Sequence, residues 1–459
     1  MQKKNSCRNI QLAGCKEKAR IESSPTFTLD VEYQIPKQIL YPGGSGMASI
    51  MTLQSLETRQ NKMHKFEALL IGGAWPELMM TALNLLKRTG FTVDVISINP
   101  LFKKTGSIRD YFLAKQNDVL LKIASDKIKR EYSLIVIGDD PTLGKILHSD
   151  LSTEEKLALL PVTSKEHLAH VFSKIGLSQA FRKNGLLTPD FRIANDETGL
   201  RDAARELGHP LFIKLDSASG GTGIFESSDP GDLEDAIGRV KAYPVLVQRK
   251  IQGVEVSMEA FYQNGKLIHF AYSLQEKYKY RFGPTMVRRY VQLSLLEQKV
   301  FDDLGLLGRA LGAHGFVNIS SIRSNLDGNL YFFEADMRPN LWLAHPRYFG
   351  DDPARIIRTH FLTGATLEQP YPFDVRYPPE ILLPHALRIG LGDLLLNRYQ
   401  VWKHLPENFF YFMLRYRVWG GVRQNIVVLY KSLLPKPHRA IIKAYLASIK
   451  YSLGGGGRQ

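Results

Sequence analysis

The sequence predicts an α/β region, then an α+β region, then a basic helical extension, and three observations predict it. Buried-strand patterns alternate with helical ones from Phe66 to Gly138, the order that yields a parallel sheet with crossover helices. From His209 to Phe225, HPLFIKLDSASGGTGIF reads as a strand entering a glycine-rich loop and returning as a second strand. Residues 371–459 hold thirteen lysines and arginines against four acids, so most of the formal net charge of +15 lies there.

Taken in order, residues 1–64 are polar, broken around Gly43 to Gly46, and read as a disordered leader. A start at Met47, Met51 or Met63 is the alternative. Lys3, Lys4 and Arg8 precede no apolar h-region, which argues against a secretory signal, and the Leu12-Ala13-Gly14-Cys15 box lacks the apolar approach of a lipoprotein signal. Cys7 and Cys15 are the only cysteines, so the folded body has neither a disulfide framework nor a cysteine metal site, as fits a reducing, cytoplasmic setting. No run approaches the roughly 18 apolar residues of a membrane span.

The first domain is expected over 65–162. FEALLIGG is a buried strand, Pro76 to Thr89 is helical, Gly90 stops it, FTVDVISI is a second strand, and YSLIVIG is a third, closed by Asp139-Asp140. Gly72-Gly73 either touches a ligand phosphate or only makes the tight strand-to-helix turn. Ser164 to Gly185 reads as one helical stretch, followed by Leu187-Thr188-Pro189 and a strand.

In the central stretch Leu211, Ile213 and Leu215 share one face of the strand, and Phe212, Lys214 and Asp216 the other. An ammonium inside an apolar strand needs an anionic or hydrogen-bonding partner. The following loop can supply one by turning backbone N–H groups toward a phosphate, with Gly220, Gly221 and Gly223 permitting positive φ. A hairpin with a snorkelling lysine remains the alternative. In a P-loop the lysine follows the glycines and a helix follows it; here the lysine comes first and a strand follows. Beyond Gly231 to Lys241, a helix, PVLVQRKIQGVEVSMEAFYQNGKLIHFAYS gives a strand, a turn at Gln252-Gly253, a strand, a hairpin at Asn264-Gly265 and a strand. EKYKYRFGPTMVRRY, residues 276–290, reads as a basic loop facing an anion, and Pro353 to Leu362 as a short helix.

Four ordered signatures, over roughly residues 66–365, resemble the ATP-grasp superfamily of carboxylate-amine ligases: Ser173-Lys174 before Leu187-Thr188-Pro189, the Lys214 strand with its loop, VLVQRKIQGVEVS, and DGNLYFFEADMRPN after Gly315-Phe316-Val317-Asn318. The resemblance implies an ATP-grasp domain over 163–365 behind a Rossmann-like domain. It implies ATP held between two α+β halves, an acyl phosphate formed from a carboxylate, and capture by an amine. By the same resemblance Lys174 and Lys214 are the nucleotide lysines, Gly220, Gly221 and Gly223 form the lid, Gln248 belongs to the hinge strand, backbone groups near Lys250 and Ile251 read adenine, and Glu255 accepts from the ribose. A solvated strand glutamate is the alternative for Glu255.

Phosphate charge requires a cation, Mg²⁺ or Mn²⁺. Glu334 and Asp336 alternate with Ala335 on a strand, so their carboxylates fall on one face as a metal pair would. Arg338 matches the arginine that steadies the transferring phosphoryl group, and Asn340 is its neighbour. Two departures stand out: Asp336 occupies a position where relatives carry Asn, and the first metal position falls at Ser320, or at Ser321 if the alignment slips by one. A hydroxyl is a poorer Mg²⁺ ligand than a carboxylate. Arg281, Arg288 and Arg289 are candidates for the acceptor substrate, with guanidinium forks suited to carboxylate or phosphate; His345 lies close after the metal strand.

The extension over 366–459 mixes aromatics with Arg415, Arg417, Arg423 and Lys431. It suits a helix lying on the anionic inner face of a membrane, or one packed on the body or a second subunit; nucleic acid ranks third, as no reading module accompanies the charge. The expected activity is ATP-dependent joining of a small carboxylate to an amine. The alternatives are a nucleotide-binding regulatory or scaffold protein whose metal site is partly lost, and phosphorylation without ligation.

Overall fold

The computed structural model describes residues 66–104, 108–218, 221–278, 282–283, 285–344, 353–364 and 381–382. They fall within one compact unit, His64–Gln459.

Strand β1 (Glu67–Gly72) is buried along its whole length, as befits the centre of a parallel sheet covered on both faces. Helix α1 (Pro76–Thr89) opens with Pro at its first position and ends at Gly90, whose φ of 103° puts it in the left-handed region where it donates to Leu86 and Lys87 carbonyls. Then come β2 (Thr92–Ser97), β3 (Tyr111–Leu113), α2 (Asn117–Lys127), β4 (Leu134–Ile137), α3 (Asp140–Leu147) and α4 (Thr153–Leu159). The four strands pair in parallel in the order β3-β2-β1-β4. The expected sheet is present, with β3, three residues long, as an added edge too short to show a period. Because β2 and β4 flank β1 on opposite sides, the loops after β1 and β4 border a crevice at the sheet's carboxyl edge.

The helical stretch expected from Ser164 to Gly185 is interrupted. A 3₁₀ turn (Lys165–His170) gives way to Phe172 at φ 56°, and α5 (Lys174–Lys183) starts afresh behind Ser173, whose side chain accepts from the Gly176 N–H. Apolar periodicity ran through the break because both segments pack on the same core; the capping serine marks it.

Next follow β5 (Phe191–Ala194), α6 (Glu197–Leu207), β6 (Leu211–Leu215), β7 (Ile224–Ser227), α7 (Pro230–Ile237) and β8 (Val245–Arg249). The four strands form an antiparallel sheet in the order β5-β8-β6-β7. Leu211, Ile213, Val245 and Val247 turn one face of it toward α6 and α7, enclosing a small separate core with Leu200, Ala204, Leu233 and Ala236.

The third sheet contains β9 (Gly253–Gln263), β10 (Lys266–Tyr278), β11 (Thr285–Val291), β12 (Gly315–Ser324), β13 (Leu330–Asp336) and β14 (Ile381–Leu382), in the order β13-β12-β9-β10-β11-β14 and antiparallel throughout. Helix α8 (Gln298–Ala310) precedes β12, and α9 (Pro353–Thr363) follows β13. Asn264 and Gly265, at φ 50° and 77°, make the expected two-residue hairpin between β9 and β10. One expectation needs correcting. Residues 276–290 are largely the β10–β11 hairpin rather than a loop, since β10 continues to Tyr278 and β11 begins at Thr285. The helical extension expected over 366–459 lies outside the described residues except for Ile381–Leu382, a strand paired with Arg288 and Arg289.

One apolar cluster runs through the parallel sheet and the back of the six-stranded sheet without a break. Phe361 of α9 joins them, its ring 5.1 Å from Phe91 and 6.3 Å from Phe261. Among the described residues no helix is long and apolar enough to cross a membrane.

Candidate active site

The site lies where the polar face of β6 and β8 meets the polar face of the six-stranded sheet. Lys214, 6% exposed, donates from Nζ to Gln248 Oε1 at 2.7 Å on the neighbouring strand. Its ammonium is 5.0 Å from the Phe333 ring of β13, so the two sheets converge on it. Burial pushes this lysine down to about 8; the nearby Glu334 and Glu255 carboxylates pull the other way, and the Lys174 ammonium adds to the drop. Two cations and two acids from four segments thus share one field.

Lys174 reaches that place because Asp216, just beyond β6, holds the start of α5. Asp216 accepts from Ser173 Oγ at 2.9 Å and from the Ile175 N–H at 2.8 Å, and Lys174 Nζ donates to the Ala218 carbonyl in the glycine loop. Gly221 and Gly223 take φ of 78° and 70°. At Gly221 a Cβ would stand 2.0 Å from the Phe282 carbonyl oxygen, so only glycine lets the loop touch the β10–β11 hairpin there. The Phe282 ring also meets Phe212 edge-on at 5.6 Å.

On the large sheet, register sets the constellation. Ser320 lies opposite Glu334, and Asn318 opposite Asp336. Across the other edge of β12, Ile322 pairs with Glu255, Ser320 with Ser257 and Asn318 with Glu259. With a period of two, these residues share the cleft face. Of the two serines, Ser320 faces Glu334, whereas Ser321 pairs with Phe332 beyond a bulge and is fully buried. Glu255 is gripped by Gln275, at 2.9 Å, and by the Tyr278 hydroxyl; burial raises its carboxyl above the usual range, against those bonds.

Asp336 Oδ2 accepts from Asn318 Nδ2 at 3.1 Å and from Arg338 Nη2 at 2.8 Å, while burial raises its carboxyl. Asn340 supports Asn318 at 2.7 Å. The two carboxylates on one face are a donor set suited to one hard cation, which Glu334 and Asp336 would hold. Ser320 offers a hydroxyl where a second cation would want an acid, and among the described residues no three His, Cys, Asp or Glu side chains cluster as metal ligands.

Arg338 is 10% exposed at its side chain and is engaged from the parallel-sheet domain. Its Nε and Nη2 donate to the two oxygens of Asp140 at 2.6 and 2.8 Å, and its guanidinium carbon is 5.4 Å from the Trp75 ring centre. Burial pushes Asp140 up to about 6, against the pull of that guanidinium. Sequence reasoning noted Asp139-Asp140 only as the end of a strand. The signal that finds it is position, at the carboxyl edge beside the switch between β1 and β4. Asp139 next to it accepts from the Gly73 and Ala74 N–H groups at 2.8 and 3.0 Å and from Thr142, so the Gly72-Gly73 loop is a turn whose amides face an internal carboxylate.

The remaining predicted residues divide. Arg288, 4% exposed, pairs with Glu259 beneath the Trp342 ring at 4.5 Å; its Nε and Glu259 Oε2 find no partner among the described residues. Arg289 points to the opposite face, exposed, and pairs with Glu276. Lys250 gives its ammonium to Glu226 at 2.7 Å and its backbone N–H to the Pro210 carbonyl at 3.0 Å, leaving that N–H unable to read a base; Ile251 beside it is half-buried. Gly220, Arg281 and His345 lie outside the described residues.

No family model matches the chain. Over 236 residues it is 25% identical to the D-alanine–D-alanine ligase of Pseudomonas fluorescens, covering 49% of this chain and 70% of that enzyme. It is 27% identical over 168 residues to the vancomycin C-type resistance protein VanC1 of Enterococcus gallinarum, covering 34% of this chain and 48% of that protein. Among solved structures, the ADP complex of N5-carboxyaminoimidazole synthetase from Staphylococcus aureus superposes with a TM-score of 0.53 over 74% of this chain and 86% of that one, at 14% identity, a likeness of fold. Sequence similarity to ligases, a common fold and the convergence of Lys174, Lys214, Glu255 and Glu334 together agree with the resemblance to the ATP-grasp superfamily.

Proposed function

We propose that the chain is an ATP-dependent ligase that activates a small carboxylate as an acyl phosphate and joins it to an amine. The observation that carries this reading is the buried Lys214 ammonium, bonded to a neutral amide oxygen and close to a second ammonium. Two ammoniums so close, only partly offset by Glu334 and Glu255, suit a further anion, and in this reading that anion is a triphosphate. When bound, Mg²⁺ would be held by Glu334 and Asp336 and would neutralise phosphate charge. Catalysis by this chain is then positioning and charge stabilisation without a protein nucleophile. Lys174 and Lys214 bind phosphate oxygens, Glu255 orients the ribose, and Arg338 meets the transferring group. We retain Arg288 as the substrate candidate, since its pair with Glu259 leaves one donor and one acceptor unused; Arg289 faces away.

In this reading residues 65–162 and 163–365 act as two domains of one cytoplasmic enzyme. Residues 366–459 rest on an anionic membrane, or pack on the body or a second subunit, and sedimentation with anionic vesicles separates the first from the others. The activity test is ADP and phosphate release with a panel of amino acids as carboxylate and amine. Turnover that Lys214→Ala and Glu334→Ala abolish supports the ligase. A second reading, nucleotide binding without ligation, draws on Ser320 facing Glu334 where a second acid would serve; ATP-analogue binding with no turnover for any acceptor favours it.

A further inference from the structure

We propose that Asp140 is a positioning residue for phosphoryl transfer: it fixes the Arg338 guanidinium at the cleft and thereby makes the parallel-sheet domain part of the catalytic site. The proposal rests on the reading of Arg338 as the group that meets the transferring phosphoryl.

The geometry is specific. A guanidinium has five N–H donors. Nε and one Nη2 hydrogen go to Asp140, the other Nη2 hydrogen goes to Asp336, and one Nη1 hydrogen goes to the Pro339 carbonyl at 3.2 Å. One donor, on Nη1, remains uncommitted among the described residues. The two-point contact with Asp140 fixes the plane of the fork, which a single bond to Asp336 cannot do. That plane decides whether the remaining donor meets a phosphate oxygen or misses it.

Packing needs alone do not account for the pair. A buried ion pair is often no more stabilising than apolar side chains of the same size, whereas removing one partner strands a charge. The location also speaks for orientation. Asp140 begins α3 at the crevice between β1 and β4, and Trp75 from the loop after β1 stands against the same guanidinium. Asp139 has already satisfied the loop amides on the other side of that crevice. The opening where an open α/β sheet ordinarily receives a ligand therefore receives an arginine from the six-stranded sheet instead.

The test uses the full chain with Asp140→Ala and, should that variant fold poorly, the size-conserving Asp140→Asn. ATP-analogue affinity is measured first, so that loss of the nucleotide site is separated from loss of positioning. With the substrates that support wild-type turnover, Asp140→Ala is expected to lower kcat about 100-fold while KM for ATP stays within about threefold, the signature of an interaction needed in the transition state. Formate, a carboxylate small enough to take the vacated place, is expected to restore at least about tenfold of that loss in Asp140→Ala and none in Arg338→Ala. A readout independent of turnover is the ¹⁵N–¹H signal of Arg338 Nε, assigned through Arg338→Lys and expected to be protected in the wild type and lost in Asp140→Ala. A kcat within about threefold of wild type, a loss that formate leaves untouched, or an Nε signal that survives Asp140→Ala overturns the proposal. A wild type that binds the ATP analogue yet turns over no substrate removes the ligase reading, and the Nε signal then decides the Asp140 contact alone.

Discussion

At the scale of single residues, Lys214 carries the most chemistry for its size. Its ammonium is pushed down to about 8 by burial, so above that pH the free protein holds a neutral amine, while a bound phosphate requires the charged form. ATP-analogue affinity is therefore expected to fall as pH rises beyond about 8, by up to tenfold per unit, with proton uptake on binding. Lys214→Arg, charged throughout, should give a flat profile by calorimetry between pH 7 and 9.5. For stability the sign is the reverse. The unfolded chain keeps its proton up to the ordinary 10.5, so the nucleotide-free fold gains stability as pH climbs from about 8 toward that value. Lys214, Glu334 and Asp336 were legible because alternation along a strand fixes which side chains share a face. Arg289 and Arg288 show the limit of the same rule: adjacent residues must face opposite ways, but only the partner strand's Glu259 decides which of them goes inward.

Among elements, the glycine loop between β6 and β7 and the β10–β11 hairpin work as a pair. Gly221→Ala would drive a methyl into the Phe282 carbonyl at a φ that disfavours any side chain. The loop would have to leave the hairpin. Titration with an ATP analogue should show affinity reduced about tenfold, while Tm shifts by no more than about 4 °C because the contact lies outside both cores. The strand-loop-strand pattern of residues 211–227 was readable from its own residues, since alternation and glycine spacing are local. The break before α5 was masked by continuous apolar periodicity, and the extent of the 276–290 hairpin by its charge. Strand propensity there comes from pairing across β10, a partner that composition does not reveal.

The whole molecule divides its apolar interior unequally. One cluster serves the parallel sheet and the six-stranded sheet together, whereas β5 to β8 with α6 and α7 keep a small core of their own. The smaller unit should open more easily, since less buried surface holds it closed. Native-state hydrogen exchange is expected to be faster over residues 191–249 than over β1, β2, β9 and β12, and to slow there selectively when an ATP analogue bridges Lys214 to Glu334. Equal exchange in both regions, or a uniform response to nucleotide, would contradict that division. This scale was the least legible in sequence. The alternation of strands and helices foretold the parallel sheet, but the ion pair between Asp140 and Arg338 spans 198 positions, and nothing local in GDD marks its partner.

The carboxylate of Asp139, seated on the Gly73 and Ala74 amides, has a consequence for counting. An open α/β sheet ordinarily takes a ligand at such a crevice, and here the crevice is filled from within, by Asp139 on the turn amides and by Arg338 on Asp140. Equilibrium dialysis with labelled ADP should accordingly saturate at one equivalent per chain, and Asp139→Ala, which leaves the Asp140–Arg338 pair in place, should add no second.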